Sequence, residues 1–196
     1  DDLVQQAQYV NMYKDSDIKI AILNGPLDTH FISYLEYKNP GKVKFIRVDA
    51  DVTDNMKDSS EEITREELDK ISELCIDDFK KISANEKIKI KAEAMKSSMP
   101  AIILLSEESR RMQEMAKMYG GLGFPMEDDI TIVLNAKNKT VQKLIELKEQ
   151  AADQEKAELI CGQIYDLAML AHKPMEAETM TRFIERSAKI LDMISE

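Results

Sequence analysis

The side chains that could carry chemistry are few and scattered along the chain. The two histidines, His30 and His172, lie in different regions, and neither has carboxylates or cysteines at metal-ligand spacing. The two cysteines, Cys75 and Cys161, are far apart and have no CxxC partner, which indicates buried, reduced thiols and a cytosolic compartment. The sequence also lacks the patterns of a nucleophilic serine, a phosphate-binding loop and a zinc protease. We therefore expect neither a catalytic site nor a metal site.

The acidic stretch 49–60 offers one apparent cation site. Asp49 and Asp51 resemble the start of an EF-hand calcium loop. The loop pattern then fails, because Asp54 stands where the turn needs glycine and Ser60 stands where the ion needs glutamate. The stretch is more typical of a connector or a domain boundary.

Charge and hydropathy exclude several classes of partner. The 196 residues carry a net charge of −10, from 37 acidic and 27 basic side chains. Nucleic acids and anionic membranes both require a basic surface, so neither is an expected partner. No apolar run approaches the roughly 20 residues of a transmembrane helix, and the acidic start of the chain is not a signal peptide. These features predict a globular cytoplasmic protein.

The stretch 106–121, SEESRRMQEMAKMYGG, has an unusual composition for a helix. At 100° per residue, Met112, Met115, Met118 and Tyr119 fall on one side, and charged or polar residues cover most of the rest. Methionine is flexible and polarisable, so this side could serve as an adaptable apolar surface for other polypeptides. The alternative is an ordinary core-facing helix, which periodicity alone favours.

The first part of the chain predicts a βαβ unit. Apolar strands at 18–23 and 43–48 flank a helix at 27–38, and short turns join them, so the two strands are expected to be parallel. One such unit cannot bury both faces of its sheet. We expect it to be the end of a larger α/β domain or to lean on a neighbour.

The following part predicts an α+β domain. A long amphipathic helix at 62–83 precedes the alternating segment 87–94, which is typical of a half-buried antiparallel strand. Apolar strands at 101–105 and 130–134 can join it in a small three-stranded sheet.

The last 60 residues predict helices. Asn138 caps one helix, and the segments 153–171 and 176–194 place apolar residues at alternating three- and four-residue steps around a short turn. This spacing predicts an αα-hairpin with much of its seam exposed. A second copy could close the seam as a symmetric four-helix bundle, and packing against the rest of the same chain is the alternative.

Four segments of the chain have a distinctive sequence: YVNMYKDSDIKIAIL (9–23), HFISYLEYKNPGKVKFIRVDAD (30–51), LSEESRRMQEMAKMYG (105–120) and ITIVLNAKNKTVQKL (130–144). Together they resemble the heat-shock protein 90 chaperone family, and in particular its bacterial members. Their order along the chain also matches the family. The resemblance implies that residues 1–61 are the last α/β piece of the family's middle domain and that residues 62–196 are its C-terminal dimerisation domain.

The resemblance also implies roles for particular side chains. The family's amphipathic helix that projects between protomers matches the methionine helix, so Met112, Met115, Met118 and Tyr119 are the expected client-binding residues. The family's terminal helices form an intermolecular four-helix bundle and match 153–171 and 176–194. The residues expected in that dimer interface are Ile160, Ile164, Leu167, Phe183, Ile184, Ile190, Leu191 and Ile194.

The family hydrolyses ATP with magnesium in a domain that precedes these segments. The resemblance therefore implies that the present chain has no cofactor and no enzymatic activity of its own. It predicts a homodimerisation and client-contact module, with a second copy, partly unfolded proteins and other chaperones as partners. The chain end, MISE, lacks the acidic tail of eukaryotic cytosolic members, which suits a bacterial cytoplasmic protein. The alternatives are a purely structural dimerisation module and a fragment of an α/β enzyme.

Overall fold

A computed structural model of the chain describes residues 10–11, 13–14, 18–23, 25, 27–45, 57, 63–105 and 130–195. Within these residues the fold is α+β, with five helices of known bounds and a three-stranded sheet. The helices are α1 (Asp28–Lys38), α2 (Arg65–Ser83), α3 (Lys139–Glu149), α4 (Gln154–His172) and α5 (Ala177–Ser195), and the strands are β1 (Lys89–Glu93), β2 (Ala101–Leu105) and β3 (Ile130–Asn135).

The sheet confirms the three predicted strands but corrects the direction of the first one. Its order is β1-β3-β2, with β2 antiparallel to β3 and β1 parallel to β3. The antiparallel assignment of 87–94 was therefore wrong. Alternating hydropathy reports that one face of a strand is buried. Ala92 in β1 and Ile88 just before it are indeed buried, while Lys89 is exposed. Direction depends on which strand lies alongside, and that strand is β3 instead of β2.

The two faces of the sheet contact different parts of the chain. One face joins α2, α3 and α4 in the main hydrophobic core, to which Ile132 and Leu134 of the central strand belong. The other face carries a smaller cluster around Val133, Ile102 and Met95. Tyr13 is buried in this second cluster, so residues near the start of the chain cover the sheet.

Local hydrogen bonds explain where α2 begins and how it meets the sheet. Thr64 and Glu67 form a capping box at the start of α2. The Thr64 hydroxyl accepts a hydrogen bond from the Glu67 amide, and the Glu67 carboxylate accepts hydrogen bonds from the Thr64 amide and hydroxyl. These bonds lower the pKa of Glu67. Further along, the Ser72 hydroxyl accepts from the Ala92 amide at 2.9 Å, so a helix side chain satisfies a backbone donor of edge strand β1.

Asn135, at the end of β3, organises the connection between β1 and β2. Its side-chain oxygen accepts from the Met95 amide at 3.1 Å, and its side-chain nitrogen donates to the Ser97 carbonyl at 2.7 Å. Asn138 then caps α3 as predicted, because its side chain accepts from the Thr140 and Val141 amides. Asn135 and Asn138 thus hold the β1–β2 connection and the start of α3 at one end of the sheet.

The predicted βαβ unit is found only in part. Helix α1 forms where expected and ends before the predicted stop at 39–41. The described residues 18–23 and 43–45 are not in strands, and their apolar side chains at 22, 23, 43 and 45 are exposed. Strand pairing requires neighbouring backbone groups, and the described residues supply none beside these segments. Residues 46–48 lie outside the described part of the chain.

Candidate functional site

Helices α4 and α5 form the predicted antiparallel hairpin. The turn between them is short, since α4 ends at His172 and α5 begins at Ala177. Polar pairs connect the helices along their length: Lys189 to Glu155 at 2.5 Å, and the Gln163 side-chain nitrogen to the Ser187 hydroxyl at 3.0 Å. The hairpin therefore has a defined alignment.

Helix α4 uses its apolar side within the same chain. Ile164 is only 1% exposed and belongs to the main core, together with Ala157 and Ala168. Ile164 therefore contributes to the folding of the single chain, and its assignment to the dimer interface stays a prediction. Ile160 is partly buried and packs against the same core, and Leu167 is also partly exposed.

Helix α5 has a different environment. All of its 19 residues are described, and none is buried. Ile184, Leu191 and Ile194 are 58%, 63% and 75% exposed. Phe183 and Ile190 are partly covered. The helix therefore presents large apolar side chains that this chain leaves in contact with water.

The exposed side chains form one continuous surface. At 100° per residue, the apolar positions 180, 183, 184, 187, 190, 191 and 194 span an arc of about 120°. Ser187, which is bonded to Gln163 on α4, lies near the middle of this arc. Helix α4 therefore covers only part of the arc, and Ile184 and Leu191 form its far edge. We call the three most exposed apolar side chains of the arc, Ile184, Leu191 and Ile194, the α5 stripe.

Curated proteins with detectable similarity share one description. The chain is 32% identical to the chaperone protein HtpG of Bacteroides fragilis strain 638R over 78% of its length. It is 29% identical to HtpG of Bacteroides thetaiotaomicron over 78%, and 26% identical to HtpG of Porphyromonas gingivalis strain ATCC 33277 over 79%. The chain belongs to the HtpG chaperone family.

The HtpG relatives are much longer than the region they share with this chain. The chain spans about 22–23% of the length of these three relatives. A search of family models found no match. The match confirms the resemblance to the chaperone family.

The client-binding residues predicted for this HtpG homologue belong to the segment between β2 and β3. Met112, Met115, Met118 and Tyr119 lie outside the described residues, as does the whole stretch 106–129. The client-binding assignment stays a prediction.

The two cysteines are fully buried, as the sequence predicted. Both belong to the main core, where α2 contributes Cys75 and α4 contributes Cys161. Burial raises the pKa of the Cys75 thiol to about 11, and burial also raises the pKa of Cys161. Since the thiolate is the reactive form, both side chains act as inert core residues near neutral pH.

The described part of the chain also contains clusters of charged side chains and one cavity to consider. There, no group of three or more His, Cys, Asp or Glu side chains could hold a metal ion. A cavity of about 360 Å³ lies where the end of α2 meets the α4–α5 turn, and its charged lining includes Asp166, Glu176, Arg182 and Arg186. Among the described residues, no helix is long and apolar enough to cross a membrane. The feature best suited to an interaction is thus the α5 stripe.

Proposed function

We propose that this chain is the homodimerisation and client-contact module of an HtpG chaperone. The observation that carries the proposal is α5, an amphipathic helix of 19 residues with no buried side chain. In proteins, an amphipathic helix gains most of its stability by packing its apolar side against other parts of the structure. An exposed apolar stripe on such a helix is therefore expected to bind a partner.

A second copy of the chain is the partner that the hairpin favours. Two antiparallel helices with coiled-coil-like spacing are half of a four-helix bundle. In a two-fold dimer the same patch serves on both sides, so one apolar stripe per chain is sufficient. The partly exposed Ile160, Leu167, Phe183 and Ile190 would border the α5 stripe and extend the contact.

The decisive experiment introduces a charge into the α5 stripe. Leu191→Asp or Ile184→Asp would bury a carboxylate in the bundle, so we expect the dissociation constant to rise at least 100-fold, which corresponds to about 3 kcal/mol. Sedimentation equilibrium measures the change directly. Both side chains are exposed in the single chain, so the monomer should keep its helicity.

The matched control places the same charge elsewhere on α5. Thr181 is exposed and lies outside the apolar arc, so Thr181→Asp should leave the dimer intact. A parent chain that remains monomeric, or a Leu191→Asp variant that still dimerises like the parent, would overturn the proposed bundle. If Leu191→Asp still dimerises, the two chains associate through a surface other than the α5 stripe.

We further propose that the methionine helix contacts clients. The support is its sequence: three methionines and a tyrosine on one side, in a stretch that resembles the client-facing helix of the family. Replacing Met112, Met115 and Met118 with serine should weaken binding of a reduced, carboxymethylated unfolded protein at least tenfold. The dimer should persist.

The outcome of this experiment separates client contact from two other roles. If the triple variant unfolds or loses its dimer, the three methionines are core residues. If it binds the unfolded protein as well as the parent, the chain is a structural dimerisation module. Replacing Met193, on α5, with serine is a control for the general effect of removing a methionine.

We also propose that residues 1–61 end the middle domain of the full-length protein and that 62–196 form its C-terminal domain. The relatives' greater length supports this assignment, as do the exposed Leu27, Phe31 and Tyr34 of the first part, which suit a covering neighbour. The same assignment places the ATP- and magnesium-dependent step in another part of the full-length protein. Titration of this chain with magnesium-ATP should accordingly give no binding heat.

A further inference from the structure

Asp166 on α4 and Arg186 on α5 form an ion pair that is mostly hidden from water. The Arg186 Nη1 and the Asp166 Oδ2 are 2.5 Å apart, and the Asp166 side chain is only 6% exposed. Removing either partner of a buried pair leaves an uncompensated charge, which is strongly destabilising. Arg186 therefore has one favourable direction, toward α4.

Gly162 makes room for this arrangement. It lies four residues before Asp166, so the two positions occupy the same face of α4, one turn apart. A Cβ atom at position 162 would be 2.8 Å from the Cζ of Arg186 and 2.9 Å from its Nε. The guanidinium thus lies directly against the helix backbone, and any side chain at 162 would displace it.

The ion pair and two residues of the α5 stripe, Ile184 and Leu191, lie on opposite sides of α5. At 100° per residue, position 186 is about 160° from position 184 and about 140° from position 191. When Arg186 points at Asp166, Ile184 and Leu191 must point away from α4. The exposure of those two side chains agrees with this geometry.

We propose that Gly162, Asp166 and Arg186 form a rotational lock that sets the angle of α5 about its own axis and so determines affinity and register in the dimer. The inference rests on the proposed dimerisation through the α5 stripe. The residues of the lock are positioning residues: they act on the interface through the orientation of α5. Binding energy is then not lost in ordering the helix when two chains meet.

The test weakens the lock without touching the stripe. Gly162→Ala should push the guanidinium away from α4 and raise the dimer dissociation constant about tenfold or more, as measured by sedimentation equilibrium. Arg186→Lys keeps the charge but loses the planar fork that fits against the glycine, so we expect a smaller rise. The double variant Asp166→Asn/Arg186→Gln removes both charges together and avoids an unpaired buried ion.

A second readout reports orientation directly. A spin label at position 185, on the polar side of α5, gives one label-to-label distance in the dimer. The lock predicts that this distance distribution broadens or shifts in Gly162→Ala and in the double variant, while far-UV circular dichroism of the monomer keeps its helical signal. If Gly162→Ala does not fold, the double variant alone decides.

Two results would overturn the lock. One is a dissociation constant within twofold of the parent with an unchanged distance distribution. The other is a loss of thermal stability with no change in either quantity, which would make the pair an ordinary stabilising contact. Failure of the proposed dimer is distinguishable, since the parent chain would then be monomeric or Leu191→Asp would still dimerise.

Discussion

Helices α4 and α5 have equal lengths and similar apolar spacing, yet α4 is packed into the core and α5 is exposed. Each contains 19 residues, and they are neighbours in one hairpin. Helix α4 buries six residues, including Ile164 and Cys161. Helix α5 buries none. The difference comes from their neighbours, because α4 packs against α2, α3 and β2, whereas α5 packs chiefly against α4.

The comparison shows that a helical apolar pattern reports the need for a partner and does not identify that partner. Two patterns of the same kind can be satisfied inside one chain or between two chains. The three-dimensional placement decides which, since α4 contacts β2, α2 and α3, whereas α5 contacts chiefly α4. A matched pair of substitutions turns this difference into a measurement.

The largest expected effect comes from truncating the same residue type in each helix. Ile164→Ala removes core volume and should lower the free energy of unfolding by about 2–5 kcal/mol. Ile184→Ala removes an exposed side chain and should change monomer stability by less than about 0.5 kcal/mol. Urea unfolding of each variant measures both values.

The unfolding free energies must be measured on monomers, because dimerisation of the folded chain raises its apparent stability. The two isoleucine variants are therefore best compared in the Leu191→Asp background, where we expect monomers. Equal losses for Ile164→Ala and Ile184→Ala would break the comparison, because they would show that the α5 stripe is covered within the chain.

The buried thiols of Cys75 in α2 and Cys161 in α4 predict how stability depends on pH. The pKa of Cys75 is raised to about 11 in the folded chain from an ordinary value of 9.0. Below pH 9 the thiol is protonated in both states, and its contribution to stability is complete. Between about pH 9 and 11 only the unfolded chain releases the proton, so stability falls, by up to about 3 kcal/mol for Cys75.

The measurement is the slope of unfolding free energy against pH from 8 to 11. The matched control is Cys75→Ala/Cys161→Ala, in which the lysines and tyrosines still titrate. We expect the parent to lose more stability than the double variant over this range. Parallel slopes would show that the thiols are in contact with water, and α4 would then be less enclosed than its burial indicates.

Much of the fold was predictable from the sequence because its elements have strong local signals. The helix now seen as α2, the cap at Asn138, the three strands and the terminal hairpin all formed where the pattern placed them. The direction of β1 was not predictable, since it depends on a partner strand 42 residues away, where Lys89 pairs with Thr131. The expected strand at 18–23 was not formed, because a strand also requires a neighbour.

The candidate site was predictable only in outline. Periodicity found the seam of both helices, but it could not separate Ile164, which is in the core, from Ile184, which is exposed. It also missed Gly162 and Arg186. A glycine in the middle of a predicted helix, with an arginine on the next helix and an aspartate one turn on, was the signal that could have found them.

The smallest expected effect concerns the other ion pair of the hairpin, Lys189 with Glu155. Its atoms are also 2.5 Å apart, but the two side chains are 52% and 74% exposed. Water and salt screen such a pair, so Lys189→Ala should change the free energy of unfolding by at most about 1 kcal/mol. If α5 is oriented by the buried Asp166–Arg186 pair, the dimer dissociation constant should also stay within threefold of the parent in sedimentation equilibrium. A larger change in that constant for Lys189→Ala than for Gly162→Ala would mean that the exposed end of the hairpin, and not its buried middle, determines how α5 faces a partner.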